Sequence, residues 1–388
     1  MTSRWHILAA LTFARAAMGY QFQSIAAASP LIVDELHLDK AQLGWLIGLY
    51  LLPGIVIALP GGLLAARFGD KRLTLFGLAL MAGGGVWLAC AGSFPAMNAA
   101  RLTSGTGAVI LNVLLTKMVA DWFGGRERVL AMSVFINSWP IGIGLALLAI
   151  GPLSDLVGWH AGIASATLFA AAGFVAVAAV YEPAPGASPP AAAGIAILDR
   201  TEWRLLAVGS LPWLLYNAAY QTAVSFLPSF LVESGSGISR AGAVTALNTV
   251  LFIVSVQAGG LLLQRAKRPD MLCHAAIIAW CLTLLLLSSG STPMLWIVMG
   301  GLLGGLPASA FVSLPSEFLR PESRAAGVGV FYTIYYAGCA IVPTVAGYAY
   351  DVVGGAHATL WVAAGLAMLC VPALIAYRSM LRRARMTS

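Results

Sequence analysis

Apolar runs about as long as a bilayer is thick recur from one end of this chain to the other. A helix needs about 20 predominantly apolar residues to cross the hydrocarbon core. Of the 388 residues, 60% are hydrophobic and only 10% are charged, whereas soluble domains carry about 25% charged residues. This composition cannot build a polar exterior, but lipid accepts an apolar one when each backbone group bonds within its own helix. We therefore predict an all-α membrane protein.

Twelve of these runs are long enough to cross a membrane, and the charges between them give an orientation. With the N-terminus in the cytoplasm, 18 of the 22 lysines and arginines fall on the cytoplasmic side, and only Lys40 and Arg240 fall on the other. This asymmetry is typical of multi-pass membrane proteins. It predicts a chain in the cytoplasmic (inner) membrane with both termini inside. The predicted spans are 5–28, 42–65, 72–93, 97–119, 129–151, 161–181, 204–231, 240–263, 271–290, 294–316, 324–348 and 357–378.

An internal repeat divides the chain into two halves. The segment GGLLAARFGDKR begins at Gly61 and the segment GGLLLQRAKRPD begins at Gly259, an offset of 198 residues. Asp155 and Asp351, each three residues before a glycine, repeat at an offset of 196 residues. Duplicated halves are a recurrent design among transporters. The predicted parts are a six-helix bundle over 1–181, a cytoplasmic linker over 182–203, and a second six-helix bundle with a basic tail over 204–388.

The loop after the second predicted span carries the sequence Gly62-x-x-x-Ala66-Arg67-x-Gly69-Asp70. It resembles the signature G-x-x-x-D-R-x-G-R-R of the major facilitator superfamily. Ala66 stands where the family has an acid, and Asp70 stands where it has a basic residue. The family's acid is thought to help latch the two halves, so this departure puts that latch in question. Positive-inside anchoring is the alternative interpretation of Arg67.

A second motif of that family resembles Arg101-x-x-x-Gly105 in the fourth predicted span. The resemblance covers the whole chain. It implies twelve helices in two bundles that rock about a central site near the membrane midplane, with the protein working as a monomer. For Arg101, an anchor at the membrane interface is the alternative. The gating and motif residues that the resemblance implies are Gly62, Arg67, Gly69, Asp70, Arg101 and Gly105.

Arg15 is the charged residue that lies deepest in a predicted span. It follows Trp5 by ten residues, or about 15 Å at 1.5 Å per residue, which is about half of the ~30 Å hydrocarbon core. No carboxylate of the chain falls at that depth. An anion from outside the chain is therefore the expected partner of its guanidinium. The alternative is that Arg15 bonds backbone carbonyl groups and only braces the bundle.

Aromatic and amide side chains share helix faces in several spans. Trp213, Tyr216, Asn217 and Tyr220 recur at helical spacing in the seventh span. Amides that face lipid are costly, so we predict that such residues line a central cavity; hydrogen bonding between helices is the alternative. The predicted substrate contacts are Arg15, Gln23, Asn137, Trp213, Tyr216, Asn217, Tyr220, Asn248, Tyr332 and Tyr336.

This set of residues favours a secondary active or facilitated carrier of a small anionic solute that works by alternating access. Through its arginine-bearing first span, the chain also resembles the cyanate and nitrate/nitrite permease-like carriers. The alternative is a proton-driven drug efflux pump, although only Gly151-Pro152 survives of the fifth-span motif of such pumps. No catalytic constellation, metal-ligand spacing or P-loop is present in the sequence. We therefore expect a transporter and no enzyme, with no metal or cofactor, and with the solute and lipid as partners and no nucleic acid.

Overall fold

A computed structural model of the chain describes residues 4–58, 67–184 and 198–387, and in these ranges it contains helices and no strand. The all-α prediction is confirmed. In chain order the helices are α1 Arg4–Ala27, α2 Ser29–Leu36, α3 Lys40–Leu49, α4 Gly54–Ile57, α5 Asp70–Ala89, α6 Phe94–Trp122, α7 Gly125–Val157, α8 Trp159–Val180, α9 Arg200–Gly209, α10 Leu211–Glu233, α11 Ile238–Arg265, α12 Pro269–Ser288, α13 Pro293–Gly304, α14 Ala308–Ser313, α15 Arg324–Val353 and α16 His357–Thr387.

Ten stretches of these helices are long and apolar enough to cross a membrane within the described ranges. The prediction of twelve spans is therefore confirmed for ten. The other two predicted spans correspond to α1 and α10, which have 24 and 23 residues and the length to cross. Neither contains an 18-residue window as apolar as those of the ten, and buried glutamines and serines lie along both. Polar residues at this depth are expected where helices face a cavity or each other.

Two of the predicted continuous spans are broken. In the second predicted span, one helix ends at Leu49 and the next begins at Gly54, directly after Pro53. In the tenth predicted span, one helix ends at Gly304 and the next begins at Ala308, directly after Pro307. Proline has no backbone N–H to donate and is tolerated at the start of a helix. The breaks therefore fall at residues that can begin a new helix but cannot continue one.

Within the predicted linker over 182–203, α9 already begins at Arg200. The Asp199 side chain accepts from the backbone N–H of Thr201 and Glu202, while the Glu202 side chain accepts from the Asp199 N–H. This reciprocal capping box starts a helix before the apolar run begins. The middle of the predicted linker, residues 185–197, lies outside the described residues.

Glu202 also fixes α9 to the start of α15. Its carboxylate, whose side chain is 4% exposed, accepts from Arg320 Nη2 at 2.9 Å and from the Ser323 hydroxyl. Burial alone raises the pKa of Glu202, but these hydrogen bonds outweigh it and lower the pKa to about 2. The carboxylate is therefore ionised in the folded protein at neutral pH, and its folded pKa lies below the ordinary value.

We expect Glu202→Gln to lower the Tm of the purified protein by several degrees at pH 7. A group with a depressed folded pKa stabilises the protein above its unfolded pKa of about 4.3 and loses that effect as the pH falls toward the folded value. The difference between variant and wild type should therefore shrink below about pH 4. Glu322→Gln, an exposed acid in the same loop, is the matched control. An equal Tm for Glu202→Gln and wild type at pH 7 would contradict this role.

Helices of the first half (α1–α8) pack at close range through small residues. α1 lies against α7 and α8 along its length, and α5 lies against α6. A Cβ on Gly19 would lie 2.3 Å from the Trp139 carbonyl oxygen, and one on Gly142 would lie 2.0 Å from the Ala16 carbonyl oxygen. Only glycine allows this approach of α1 and α7. In the second half (α9–α16), α10 and α12 both lie against α16.

The halves meet along two equivalent helix pairs. α3 packs against α15, α7 packs against α11, and α1 touches α10 between them. The repeat relates these two pairs, because an offset of about 198 residues carries α3 onto α11 and α7 onto α15. The interface is thus built twice from corresponding segments. We call the end of the bundle with the start of α1 and the end of α16 the terminal face, and the other end the opposite face.

Candidate functional site

Arg15 lies near the middle of α1 and is half-buried. Its Nη1 donates to the carbonyl oxygens of Phe135 and Ile136 at 3.0 and 3.1 Å, and its guanidinium carbon lies 4.6 Å from the centre of the Phe135 ring. These contacts brace α1 against α7, as the alternative interpretation of Arg15 expected. They use one end of the guanidinium only.

The other end of the guanidinium keeps hydrogen-bonding capacity. Arg15 Nη2 lies 3.5 Å from Asn112 Oδ1, and Arg15 Nε has no hydrogen-bond partner among the described residues. Arginine has five N–H donors, of which these contacts use three. The edge formed by Nε and Nη2 is one that binds a carboxylate through two parallel hydrogen bonds. Arg15 therefore braces the bundle and keeps a donor that has no partner among the described residues.

The second half places three tyrosines of α15 near this arginine. Tyr332, Tyr335 and Tyr336 lie close enough to Arg15 to interact with it electrostatically. Tyr332 and Tyr335 are half-buried, with their rings 6.0 Å apart, and Tyr335 lies 5.1 Å from the ring of Tyr336. Three tyrosine rings of the second half therefore lie near the guanidinium of the first half.

Trp213 of α10 adds a fourth aromatic ring beside these tyrosines, and we call the four rings the aromatic wall. Its ring lies 6.2 Å from Tyr335 and 6.4 Å from Phe331, stacked on the latter. The Trp213 Nε1–H is buried and has no hydrogen-bond partner among the described residues. Gln221, two turns along α10, donates from Nε2 to the Tyr335 hydroxyl at 3.2 Å. The structure thus brings Arg15, Trp213, Tyr332 and Tyr336 together at one site.

Three other predicted contacts lie inside the second half instead. Tyr216 is 2% exposed, donates to the Gly304 carbonyl oxygen at 2.9 Å and packs against four aromatic rings. Tyr220 stacks on Phe252 at 4.1 Å, and Asn248 Nδ2 donates to the Ile297 carbonyl oxygen at 2.6 Å. Tyr220 and Asn248 line a small separate cavity between α10, α11 and α13. All three join helices of one half, and their predicted contact with the substrate stays a prediction.

The remaining predicted contacts are amides with partners in the protein. Gln23 is fully buried and donates from Nε2 to the Val224 carbonyl oxygen at 3.2 Å, where α1 crosses α10. Asn137 Oδ1 accepts from Gln257 Nε2 at 3.2 Å, which joins α7 to α11. Asn217 donates to the carbonyl oxygen of Trp213 on its own helix at 2.8 Å. Gln23 and Asn137 thus lie between the halves.

Arg101 is completely buried and holds three helices together. Its guanidinium donates to the carbonyl oxygens of Leu46, Gln21 and Phe22 at 3.0, 3.0 and 3.2 Å, and the Tyr50 ring lies 4.6 Å from its guanidinium carbon. It is therefore not an interfacial anchor. A Cβ on Gly105, the other residue of this motif, would lie 2.2 Å from the Tyr50 carbonyl oxygen. The motif sets the close packing of α6 on α3.

The signature loop is described only from Arg67 onward, so Gly62 and Ala66 lie outside the described residues. Arg67 lies over the Phe68 ring at 5.5 Å, and Gly69 has a φ of 82°, which an L side chain rarely adopts. Asp70 accepts from Lys117 Nζ at 2.6 Å, and Lys117 also pairs with Asp121 at 2.7 Å. Asp70 thus ties the start of α5 to the end of α6 within the first half.

At the opposite face, two aspartates that repeat at the offset of 196 residues join the halves. Asp351, near the end of α15, accepts from the backbone N–H groups of Lys40 and Ala41 at 3.0 and 2.8 Å. These are the first N–H groups of α3, which have no partner within the helix. Asp155, near the end of α7, accepts from the Ser239 hydroxyl at the start of α11 at 2.7 Å. We call these two contacts the aspartate latches.

Sequence reasoning missed Asn112 as a site residue. It lies on the face of α6 that also carries Arg101, about three turns away, and only the tertiary fold shows that it meets Arg15 and Tyr336. The predicted spans leave Asp155 and Asp351 outside the membrane, but the sequence did not show that each contacts the other half. For both aspartates the signal was in the repeat itself. Within the described ranges, no group of three His, Cys, Asp or Glu residues is arranged to hold a metal.

Solved structures share this fold at low sequence identity. A D-xylose–proton symporter aligns with 95% of this chain and 96% of its own, at 14% identity and a TM-score of 0.78. A bacterial homologue of the human lysosomal transporter Spinster, in an inward-facing and occupied conformation, aligns with 99% of this chain and 97% of its own, at 17% identity and a TM-score of 0.72. The predicted fold is therefore confirmed.

Sequence relatives and a family profile agree with the fold. A 3-(3-hydroxy-phenyl)propionate transporter of Escherichia coli (strain K12) is 29% identical over 367 residues, which cover 89% of this chain and 87% of the relative. A hexuronate transporter of Bacillus subtilis (strain 168) is 22% identical over 284 residues, which cover 67% of this chain and 65% of the relative. The profile of the Major Facilitator Superfamily matches residues 11–343. This chain therefore belongs to the Major Facilitator Superfamily and is a multi-pass membrane transporter of small molecules.

Proposed function

We propose that the chain carries small organic carboxylates, aromatic ones above all, across the cytoplasmic membrane by alternating access. The observation that carries this proposal is Arg15, whose Nε–H is unpaired among the described residues and whose guanidinium lies near the tyrosines of α15. A carboxylate supplies the charge and the two acceptors that this edge lacks. The rings of Trp213, Tyr332 and Tyr335 supply an apolar surface for the rest of the solute.

The relatives support the same class of solute. Both 3-(3-hydroxy-phenyl)propionate and a hexuronate carry a carboxylate at neutral pH, and the first also carries an aromatic ring. The aromatic wall beside Arg15 favours the aromatic acid over the sugar acid for this chain. The narrower resemblance to cyanate and nitrate permease-like carriers stays a prediction, which nitrate and cyanate can test in the same binding assay.

Coupling by exchange or facilitated flux fits this site better than a dedicated proton relay. All 15 carboxylates of the chain lie at or near helix ends or in connecting segments, and none lies in the middle of a span. Drug pumps that run on protons commonly use a membrane-embedded acid. Proton-driven drug efflux is the competing proposal, and the drug susceptibility of an expressing strain separates the two.

We infer that the two halves, 1–181 and 204–388, move as the rocking bodies, with both termini in the cytoplasm and the protein working as a monomer. The aspartate latches hold the opposite face closed, so the half-buried Arg15 is reached from the terminal face. With the termini inside, this arrangement is the inward-facing state. Opening the other way requires that both latches release while the halves close over Arg15 from the cytoplasmic side.

A panel of ligands on the purified protein tests the proposed solute class. A ligand at 100 times its Kd stabilises the folded state by about 2.7 kcal/mol. We therefore expect 3-phenylpropionate and its hydroxylated forms to raise the Tm, galacturonate to raise it less, and 3-phenylpropanol, which lacks the carboxylate, to leave it unchanged. Equal shifts with the acid and the alcohol, or shifts with lipophilic cations alone, would contradict the proposal.

A further inference from the structure

We propose that Asn112 is a positioning residue that orients Arg15 of the first half and the Tyr336 hydroxyl of the second half toward one carboxylate. This inference rests on the proposed function. Asn112 lies on α6 and is half-buried. Its side chain touches both groups: Oδ1 lies 3.5 Å from Arg15 Nη2, and Nδ2 lies 2.8 Å from the Tyr336 hydroxyl oxygen.

The chemistry of the three groups fixes the direction of these hydrogen bonds. A guanidinium offers donors only, so the side of Asn112 that faces Arg15 has to be its carbonyl oxygen. The amide nitrogen then faces Tyr336 and donates to the phenol. Because that phenol oxygen accepts from Asn112, its own hydrogen points elsewhere. Arg15 thereby sets the orientation of Asn112, and Asn112 makes Tyr336 a donor.

Tyr336 is held rigidly in this position. It is 3% exposed, and its ring fills the space above Gly54, where an added Cβ would lie 2.3 Å from the ring. A residue of the second half is thus inserted between α4 and α6 of the first half. A hydroxyl fixed by a packed ring and by an amide hydrogen bond is pre-organised, so little side-chain freedom is lost when a ligand binds.

A carboxylate at this point meets donors from both halves. Arg15 contributes Nε–H and Tyr336 contributes O–H, and each belongs to a different rocking body. The ligand therefore bonds to both halves at the middle of the bundle, and loss of either donor weakens its binding. A role of this kind differs from simple bracing, because it requires Asn112 and Tyr336 to act on the ligand as one unit.

A double-mutant cycle on carboxylate binding tests this coupling. We expect Asn112→Leu and Tyr336→Phe each to raise the Kd for 3-phenylpropionate by about 10-fold, the effect of one charge-assisted hydrogen bond. The double variant should also raise it by about 10-fold, because either change alone removes the same donor. Thr116→Val, one turn further along α6, is the matched control and should leave the Kd unchanged.

Tyr336→Phe keeps the ring above Gly54 and should fold even if Asn112→Leu does not. Asn112→Asp is the second variant at position 112: it keeps an acceptor for Arg15 but takes the hydrogen of Tyr336, so it should weaken binding at least as much. A double variant that raises the Kd by about 100-fold, or a Kd for Asn112→Asp equal to wild type, would overturn the inference. A wild type that binds no carboxylate would instead overturn the proposed function.

Discussion

Replacing Arg15 by alanine should lower kcat/KM for uptake of an aromatic carboxylate into proteoliposomes by roughly 100-fold. A hydrogen bond to a charged group contributes about 1.5–3 kcal/mol, and each 1.4 kcal/mol changes an equilibrium about tenfold. Arg15 keeps a donor, Nε–H, that has no partner among the described residues, whereas the bonds of Arg101 end on carbonyl groups. We expect Arg15→Lys to recover only part of the rate, because an ammonium cannot form the two parallel bonds of the guanidinium edge.

Arg15→Ala also removes the bonds to the carbonyl oxygens of Phe135 and Ile136, so folding has to be measured with transport. Arg4→Ala is the matched control: it makes the same change on the same helix, but its half-exposed pair with Glu127 lies at the terminal face. The control should transport at the wild-type rate, and the Tm of the Arg15 variant should stay within a few degrees of wild type. Wild-type uptake by a folded Arg15→Ala protein would reject Arg15 as a solute contact.

Much of the fold could be predicted because lipid leaves the chain few choices. Apolar runs of membrane length have to be helices, and the repeat at 196–198 residues already indicated two equivalent halves. The position of Arg15 was predictable for the same reason: a charge in the middle of an apolar run has to meet something polar. The helix breaks at proline in the second and tenth predicted spans could not be predicted, because membrane helices tolerate proline.

Which aromatic residues reach the site could not be predicted from spacing. Tyr216 and Trp213 lie one turn apart on α10, yet the Tyr216 hydroxyl donates to the Gly304 carbonyl oxygen, whereas the Trp213 ring lies 6.2 Å from Tyr335 of α15. Helical periodicity gives a face, but the tertiary packing decides whether that face meets a neighbour or a cavity. Asn112 is the same case on α6, since its two partners are 97 and 224 residues away in sequence.

Removing both aspartate latches should open the opposite face of the protein. Asp351 satisfies two N–H groups at the positive end of α3, and exposed carboxylates at helix N-termini contribute about 0.3–1 kcal/mol. Asp155→Ala and Asp351→Ala should each shift the equilibrium between the two states by roughly 3-fold toward opening. The two latches share no partner, so the double variant should shift it by roughly 10-fold.

Labelling at the buried interface between α3 and α15 measures this opening. Thr344 lies against Gly44, where an added Cβ would be 2.9 Å from the Thr344 Cα, so Thr344→Cys reports separation of the two helices. In a Cys90→Ser background, a membrane-impermeant maleimide added at the opposite face should label it slowly in the otherwise unchanged protein and much faster in the double latch variant. Asp34→Ala removes an exposed acid from the same face and should leave the labelling rate unchanged. Equal rates with and without the latches would mean that apolar packing alone keeps this face closed.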